Sequence, residues 1–120
     1  MKNVIGIGSA LVDILTRIDN DDILKELEIR KGSMHLVDEK STAIIENRLE
    51  NYESSMAPGG SAANTIHALS KMGIESGFIS FIGKDEIGKF FENSMSSVGV
   101  KSYLFHSDTA SGTARTIISA

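Results

Sequence analysis

With 120 residues, of which 41% are hydrophobic and 23% charged, the chain is long enough for one modest domain with a small core. Its net charge of −4 argues against a nucleic-acid partner, which needs clustered Lys and Arg, and the absence of cysteine excludes disulfides and thiolate metal sites. No apolar run reaches the roughly 20 residues of a membrane helix and the N-terminus lacks a signal peptide's apolar region, so no membrane association and a cytoplasmic location are expected.

Hydrophobic patterning in the first half predicts two strands followed by two helices. Residues 3–8 form a short apolar run that ends in glycine, and residues 11–18 alternate apolar and polar side chains, so both suit extended strands. A helix is predicted from Asn20, as its cap, to Glu28, and a second from about Glu39 to Tyr52.

The second half alternates strands and helices after Pro58, the only proline. A helix is predicted to begin at Ser61 and to stop at Gly73, where glycine suits a left-handed terminus. The further predicted elements are a strand, a helix and two strands at 76–82, 86–98, 101–106 and 113–119. The strand–helix–strand–helix–strand order from Ser54 onward predicts an α/β fold with parallel pairing. Because the sequence stops inside an apolar strand, truncation of a longer chain is expected.

A glycine-rich segment, Ala57-Pro58-Gly59-Gly60-Ser61-Ala62-Ala63-Asn64, is the first candidate ligand site. Two glycines at a loop-to-helix junction permit positive φ and a close approach of the backbone to a ligand. The helix start offers free N–H groups and the positive end of the dipole, and the Asn64 amide can both donate and accept hydrogen bonds. From composition alone, a tight turn with an N-terminal polar residue and no ligand is the favoured interpretation.

Asp13, five residues after the strand-ending Gly8, is the second candidate. Apolar neighbours make its carboxylate costly to bury without a partner, and a carboxylate can accept hydrogen bonds from two neighbouring sugar hydroxyls. The alternative is an exposed residue on an edge strand. Gly6-x-Gly8 is not a dinucleotide fingerprint because Leu11 stands where the third glycine should be, and no P-loop sequence is present.

The remaining polar segments are expected to be structural. Asp85, within Gly83-Lys84-Asp85-Glu86-Ile87-Gly88, lies between a predicted strand and helix and is predicted to cap that helix. The three histidines fall on separate elements without ligand spacing, so no metal site is predicted. For Arg115, on the last strand, a solvated strand face is favoured, and a role toward a ligand stays open.

Together these segments resemble the PfkB/ribokinase family of carbohydrate kinases. That family has a Gly-Gly pair followed by Asn, a helix ending in Gly, and a strand leading to G-x-D-x-x-G. The matching residues occur here in the same order, as Gly59-Gly60, Asn64, Gly73 and Gly83–Gly88, preceded by Gly8 and Asp13 and followed by Ser111-Gly112-Thr113. The Gly-Gly-Ser sequence and the helical insert at 20–52 are closer to adenosine-kinase-like members than to ribokinase itself.

The resemblance implies a ribokinase-like α/β fold, with a three-layer Rossmann-type core and a small β-sheet lid, of which residues 1–120 would be the truncated N-terminal part. On this basis residues 3–8 and 54–98 are assigned to the core. Residues 11–18 and about 101–119 are assigned to the lid. Exposed lid strands in this family often pair between subunits, so a homodimer through these strands is also expected.

The resemblance further implies an ATP- and Mg²⁺-dependent kinase that phosphorylates a hydroxyl of a sugar or nucleoside. Residues matching the acceptor site are Asp13, Gly59, Gly60 and Asn64. The family's G-A-G-D segment, which contains the catalytic Asp, and its Mg²⁺-linked N-x-x-E motif do not occur in these 120 residues. No catalytic residue and no metal ligand are therefore predicted here. A non-catalytic sugar- or nucleoside-binding α/β module is the alternative function.

Overall fold

The computed structural model describes residues 3–119, which contain six strands and four helices. In chain order these are β1 (Val4–Ile7), β2 (Leu11–Ile18), α1 (Asp22–Glu26), α2 (Glu39–Leu49), β3 (Ser54–Gly59), α3 (Ser61–Lys71), β4 (Ser76–Gly83), α4 (Glu86–Ser97), β5 (Lys101–Ser107) and β6 (Gly112–Ser119). No helix within residues 3–119 is long and apolar enough to cross a membrane.

The helix ends follow local backbone signals. Gly73 adopts a φ of 84° directly after α3, which confirms the predicted left-handed terminus. Helix α1 ends earlier than predicted, at Glu26, and Glu28 has a φ of 55°, which is incompatible with a continued helix. The cap of α1 is Asp21, while the Asn20 side chain accepts a hydrogen bond from the Asp22 N–H at 2.9 Å.

The chain divides into two compact units. The first unit contains the residues up to Ile14 together with Met56–Ala114. The second contains Leu15–Ser55 and the residues from Arg115 onward.

A parallel sheet with the strand order β1-β4-β5 forms the centre of the first unit. Val4 of β1 lies opposite Ser76, and Gly77 lies opposite Lys101 of β5, so both pairings of β4 are parallel as predicted. Helices α3 and α4 pack on this sheet. The buried core residues of this unit are Ala10, Val12, Ile14, Ala63, Ile66, Phe78, Ile82, Phe91, Met95 and Val100.

The second unit has a smaller core and a polar network around the buried Thr16. Its buried apolar residues are Ile18, Leu24 and Leu49. Thr16 is fully buried and its hydroxyl lies 2.7 Å from the Ser54 hydroxyl. Arg115 donates hydrogen bonds to Thr16 Oγ1 at 3.3 Å and to Glu46 Oε1 at 3.2 Å, and only 19% of its side chain is exposed. Arg115 therefore contacts this network, whereas the sequence favoured a solvent-exposed position on the strand face.

The sequence-based division into core and lid strands needs a correction. Strand β5, at Lys101–Ser107, was grouped with the lid but pairs with β4 along its whole length in the parallel sheet. Strand β3, at Ser54–Gly59, was grouped with the core but belongs to the second sheet, whose order is β3-β2-β6. Helix α4 forms a crossover connection, which returns the chain so that β5 pairs in parallel beside β4. For short apolar strands, the residue pattern does not show which sheet a strand joins. A lid function for the second sheet stays a prediction.

Removing a core side chain of the first unit tests this packing. Phe91 is 1% exposed and its ring centroid lies 5.9 Å from that of Phe78, so Phe91→Ala should lower the free energy of unfolding by about 3–5 kcal/mol. Phe105→Ala removes the same atoms from a ring that is 57% exposed and should cost far less. Urea denaturation followed by circular dichroism measures both; equal losses would contradict the assignment of the core.

Candidate substrate-binding site

The Asp13 carboxylate on β2 lies directly against the backbone of Gly59 at the end of β3. A Cβ atom at residue 59 would stand 2.7 Å from Asp13 Oδ2 and 2.9 Å from Asp13 Oδ1. Carbon and oxygen cannot approach so closely without repulsion, so any side chain at residue 59 would displace the carboxylate. The structure therefore brings together two of the residues that the sequence predicted to bind an acceptor.

Gly60 forms the other half of this junction and caps α3. Its φ of 97° lies in the region that favours glycine, which confirms the predicted positive φ at Gly60, whereas Gly59 does not have a positive φ. A Cβ atom at residue 60 would also stand 2.6 Å from the Ser9 carbonyl oxygen, in the loop between β1 and β2. The Gly60 carbonyl accepts the first hydrogen bond of α3, from the Asn64 N–H at 2.8 Å.

Asn64 projects from the first turn of α3 and is exposed. Within residues 3–119 no hydrogen bond engages its side-chain amide or the Asp13 carboxylate, which is partly exposed. The first turn of α3 contains no acidic residue. Its free N–H groups and the positive end of its dipole are therefore not neutralised by a side chain of that turn. Asp13, Gly59, Gly60 and Asn64 are called the acceptor cradle below.

The Gly83–Gly88 segment has the predicted structural role. Asp85 is the cap of α4, and its Oδ1 accepts a hydrogen bond from the Gly88 N–H at 2.8 Å. The carboxylate also accepts hydrogen bonds from Ser111, from the N–H to Oδ2 at 2.8 Å and from the hydroxyl to Oδ1 at 2.7 Å. These two contacts join α4 to the turn before β6, and the sequence analysis did not find them.

Glycines make this second junction sterically feasible. The Gly83 N–H donates to the Ser111 hydroxyl oxygen at 2.8 Å, and a Cβ atom at residue 83 would stand 2.6 Å from the Ser111 nitrogen. A Cβ atom at Gly88 would stand 2.5 Å from the Gly83 carbonyl oxygen. We call Gly83, Asp85, Gly88 and Ser111 the α4 clamp.

The α4 clamp also changes the acidity of its carboxylate. Burial raises the pKa of Asp85, but the hydrogen bonds from Ser111 and Gly88 outweigh that effect and leave the pKa below its ordinary value of 3.8. The ionised form of Asp85 is therefore the form that the folded chain stabilises.

The fit of this part of the chain to a metal ion can be judged from its side chains. Within residues 3–119 no group of three or more His, Asp or Glu side chains is close enough to hold a metal. His35 instead lies 2.8 Å from the Ser33 hydroxyl, on an exposed segment.

Residues 33–120 match the family model described as pfkB family carbohydrate kinase. The chain belongs to this family. A stretch of 42 residues is also 48% identical to the 5-dehydro-2-deoxygluconokinase of Halalkalibacterium halodurans, and it covers 35% of this chain and 13% of that protein.

Solved structures of kinases share the fold over nearly the whole chain. Adenosine kinase from Anopheles gambiae, in complex with P1,P4-di(adenosine-5) tetraphosphate, matches with a TM-score of 0.81 at 23% identity, over 98% of this chain and 37% of that one. Adenosine kinase from Sinorhizobium meliloti matches with a TM-score of 0.76 at 26% identity, over 98% and 36%. A probable sugar kinase from Rhizobium etli has a TM-score of 0.70 at 24% identity, over 98% and 35%.

These matches confirm the predicted ribokinase-like α/β fold. The chain spans little more than a third of the length of these structures and 13% of the curated relative. What the longer proteins do is therefore transferred to this chain only as a proposal.

A comparison of two capping aspartates tests the α4 clamp. Asp85→Ala removes a helix cap together with both contacts to Ser111, so the free energy of unfolding should fall by about 2 kcal/mol or more. Asp38→Ala removes an exposed cap of α2 whose side chain accepts from the Ser41 N–H at 2.8 Å, and a smaller loss is expected. Urea denaturation of both variants decides, and equal losses would show that the Ser111 contacts add no stability.

The lowered pKa of Asp85 predicts a pH dependence of stability. A carboxyl group with a depressed pKa in the folded state stabilises the protein above its unfolded pKa of 3.8, and this stabilisation is lost as the pH falls through the folded value. Asp85→Asn should therefore flatten the fall in unfolding free energy as the pH decreases from about 5 to below 3.8. Urea midpoints across this range measure the slope; an unchanged slope would contradict the predicted linkage.

Proposed function

We propose that the chain supplies the acceptor-binding site of an ATP-dependent kinase that phosphorylates a hydroxyl group of a sugar or nucleoside. The main supporting observation is the close approach of the Asp13 carboxylate to Gly59, next to the start of α3. This carboxylate accepts no hydrogen bond from residues 3–119, so its oxygens could accept hydrogen bonds from a ligand. Family membership supports the reaction class.

The acceptor cradle suits a ligand with neighbouring hydroxyl groups. The two oxygens of Asp13 can accept hydrogen bonds from two adjacent hydroxyls, and the Asn64 amide can both donate to and accept from a third. Such contacts fix the orientation of the acceptor, and orientation together with electrostatic stabilisation accounts for most of the catalysis in phosphoryl transfer. Asp13 and Asn64 are therefore proposed as orienting groups and not as the catalytic base.

The proposal includes ATP and Mg²⁺ only because the chain belongs to this family. ATP would supply the γ-phosphoryl group. Because residues 3–119 contain no set of metal ligands, we assign no Mg²⁺ contact to this chain and derive no step through the ion.

Two acceptor classes follow from the matched proteins. Two of the matched structures are adenosine kinases, and the curated relative is named for a dehydro-deoxygluconate. Both acceptors present several hydroxyl groups, which the cradle can bind. Isothermal titration of the chain with adenosine, guanosine, ribose and fructose would separate the nucleoside and sugar classes. Binding of none of these acceptors would contradict the proposal.

Substitutions in the cradle test the proposed site. Asp13→Ala and Asn64→Ala should each weaken acceptor binding about tenfold or more, since each removes a hydrogen bond of about 1–3 kcal/mol. The matched controls are Asp19→Ala, directly after β2, and Thr65→Ala, on α3; both alter exposed residues outside the cradle and should leave acceptor binding normal. Titration calorimetry with the acceptor that binds best gives the comparison. Unchanged affinity in both cradle variants would refute the assignment.

Binding without catalysis is the second candidate function. It requires only the acceptor cradle, and all four residues of the cradle lie within residues 3–119. A coupled assay of ATP consumption distinguishes the two when it is run on the full-length natural protein: phosphorylation of the bound acceptor supports the kinase, and binding without turnover supports a sugar- or nucleoside-binding module.

The cytoplasmic location and the homodimer through strands β2 and β6 are also part of this proposal. Sedimentation at several concentrations tests the dimer, which predicts a mass of twice 12.9 kDa.

A further inference from the structure

Ser80 is a polar side chain buried in the central strand of the parallel sheet. It lies near the carboxyl end of β4 and is only 6% exposed. Its hydroxyl donates a hydrogen bond of 2.5 Å to the carbonyl oxygen of Gly8, which is 72 positions away in the sequence. A hydroxyl at this depth requires a hydrogen-bond partner, and the Gly8 carbonyl is that partner.

Gly8 is the point at which β1 passes into the loop that leads to Asp13. Its N–H donates to the Ile79 carbonyl at 3.3 Å, so neighbouring residues of β4 hold both polar groups of the Gly8 backbone. The Cα of Gly8 is also packed against α3, because a Cβ atom there would stand 2.8 Å from Ala62 Cβ. The orientation of the next peptide is therefore determined at this point.

That next peptide touches the acceptor cradle. A Cβ atom at residue 60 would stand 2.6 Å from the Ser9 carbonyl oxygen. The adjacent Gly59 lies against the Asp13 carboxylate. A continuous path of contacts thus runs from the Ser80 hydroxyl through Gly8 and Ser9 to the two cradle glycines.

We infer that Ser80 is a positioning residue for the acceptor cradle. It acts through the Gly8 carbonyl, which sets the orientation of the Ser9 peptide against Gly60. The expected effect of Ser80 on acceptor binding rests on the proposed function. The effect of Ser80 on the loop after β1 can be measured without any acceptor.

Ser76 offers a matched control in the same strand. It is 2% exposed, and its hydroxyl also donates to a backbone carbonyl, that of Ile74 at 2.8 Å. It lies at the opposite end of β4, away from Gly8 and the cradle. Both Ser→Ala changes remove one buried hydrogen bond, but only that at Ser80 should alter the cradle.

The experiment compares wild type, Ser80→Ala and Ser76→Ala by amide hydrogen exchange and chemical shifts in ¹⁵N spectra, first without acceptor. Ser80→Ala is expected to change the amide signals and speed exchange at Gly8, Ser9 and Gly60, and Ser76→Ala is not. Titration should then show affinity for the best-binding acceptor reduced about three- to tenfold in Ser80→Ala alone. Ser80→Thr retains the hydroxyl and should restore both readouts.

The outcomes separate this inference from the proposed function. Loop changes confined to Ser80→Ala support the link even if wild type binds no acceptor, a result that would overturn only the proposed function. Unchanged signals at Gly8 and Gly60 in Ser80→Ala overturn the inference, as does an equal loss of acceptor affinity in both alanine variants. If Ser80→Ala does not fold, Ser80→Cys, whose thiol is a weaker donor, gives the same comparison.

Discussion

The close approach of Gly59 and Gly60 to the Asp13 carboxylate and the Ser9 carbonyl constrains everything around the candidate site. Neither glycine has room for a Cβ atom, and Gly60 also has a φ of 97°. The backbone can therefore enter α3 directly beside an acidic side chain that has no protein partner within residues 3–119. That carboxylate is the group that we propose to bind the hydroxyl groups of a ligand.

The chain uses glycine in the same way at a second place but for a different purpose. In the α4 clamp, Gly83 and Gly88 let Asp85 reach Ser111, and the carboxylate accepts three hydrogen bonds from the protein. Those bonds leave Asp85 little capacity for a ligand. Asp13 has none of them. This difference in saturation, and not the residue type, separates the structural aspartate from the proposed binding one.

The similarity to solved kinase structures shows the fold of the chain but not which acceptor it binds. Similarity to adenosine kinases holds over nearly the whole chain, at TM-scores of 0.76–0.81 but at identities of 23–26%. At such identities the backbone arrangement is shared while side chains that select an acceptor can differ. In the proposed site, the acceptor class would depend on how Asp13 and Asn64 contact the hydroxyl groups of a ligand. Ser80, if it positions the loop beside them, extends that dependence into the core of the parallel sheet.

The sequence by itself determined the features that neighbouring residues specify. The start of α3 after the glycine pair, its end at Gly73 and the cap at Asp85 all follow from local backbone preferences, which act within one turn. The order of the glycine and aspartate segments was sufficient to indicate the family. Only the tertiary structure decided which sheet receives β5, that Ser111 binds Asp85, and that Ser80 holds Gly8. These contacts join residues 24 to 72 positions apart, and their formation depends on how whole elements pack, which no local pattern of side chains encodes.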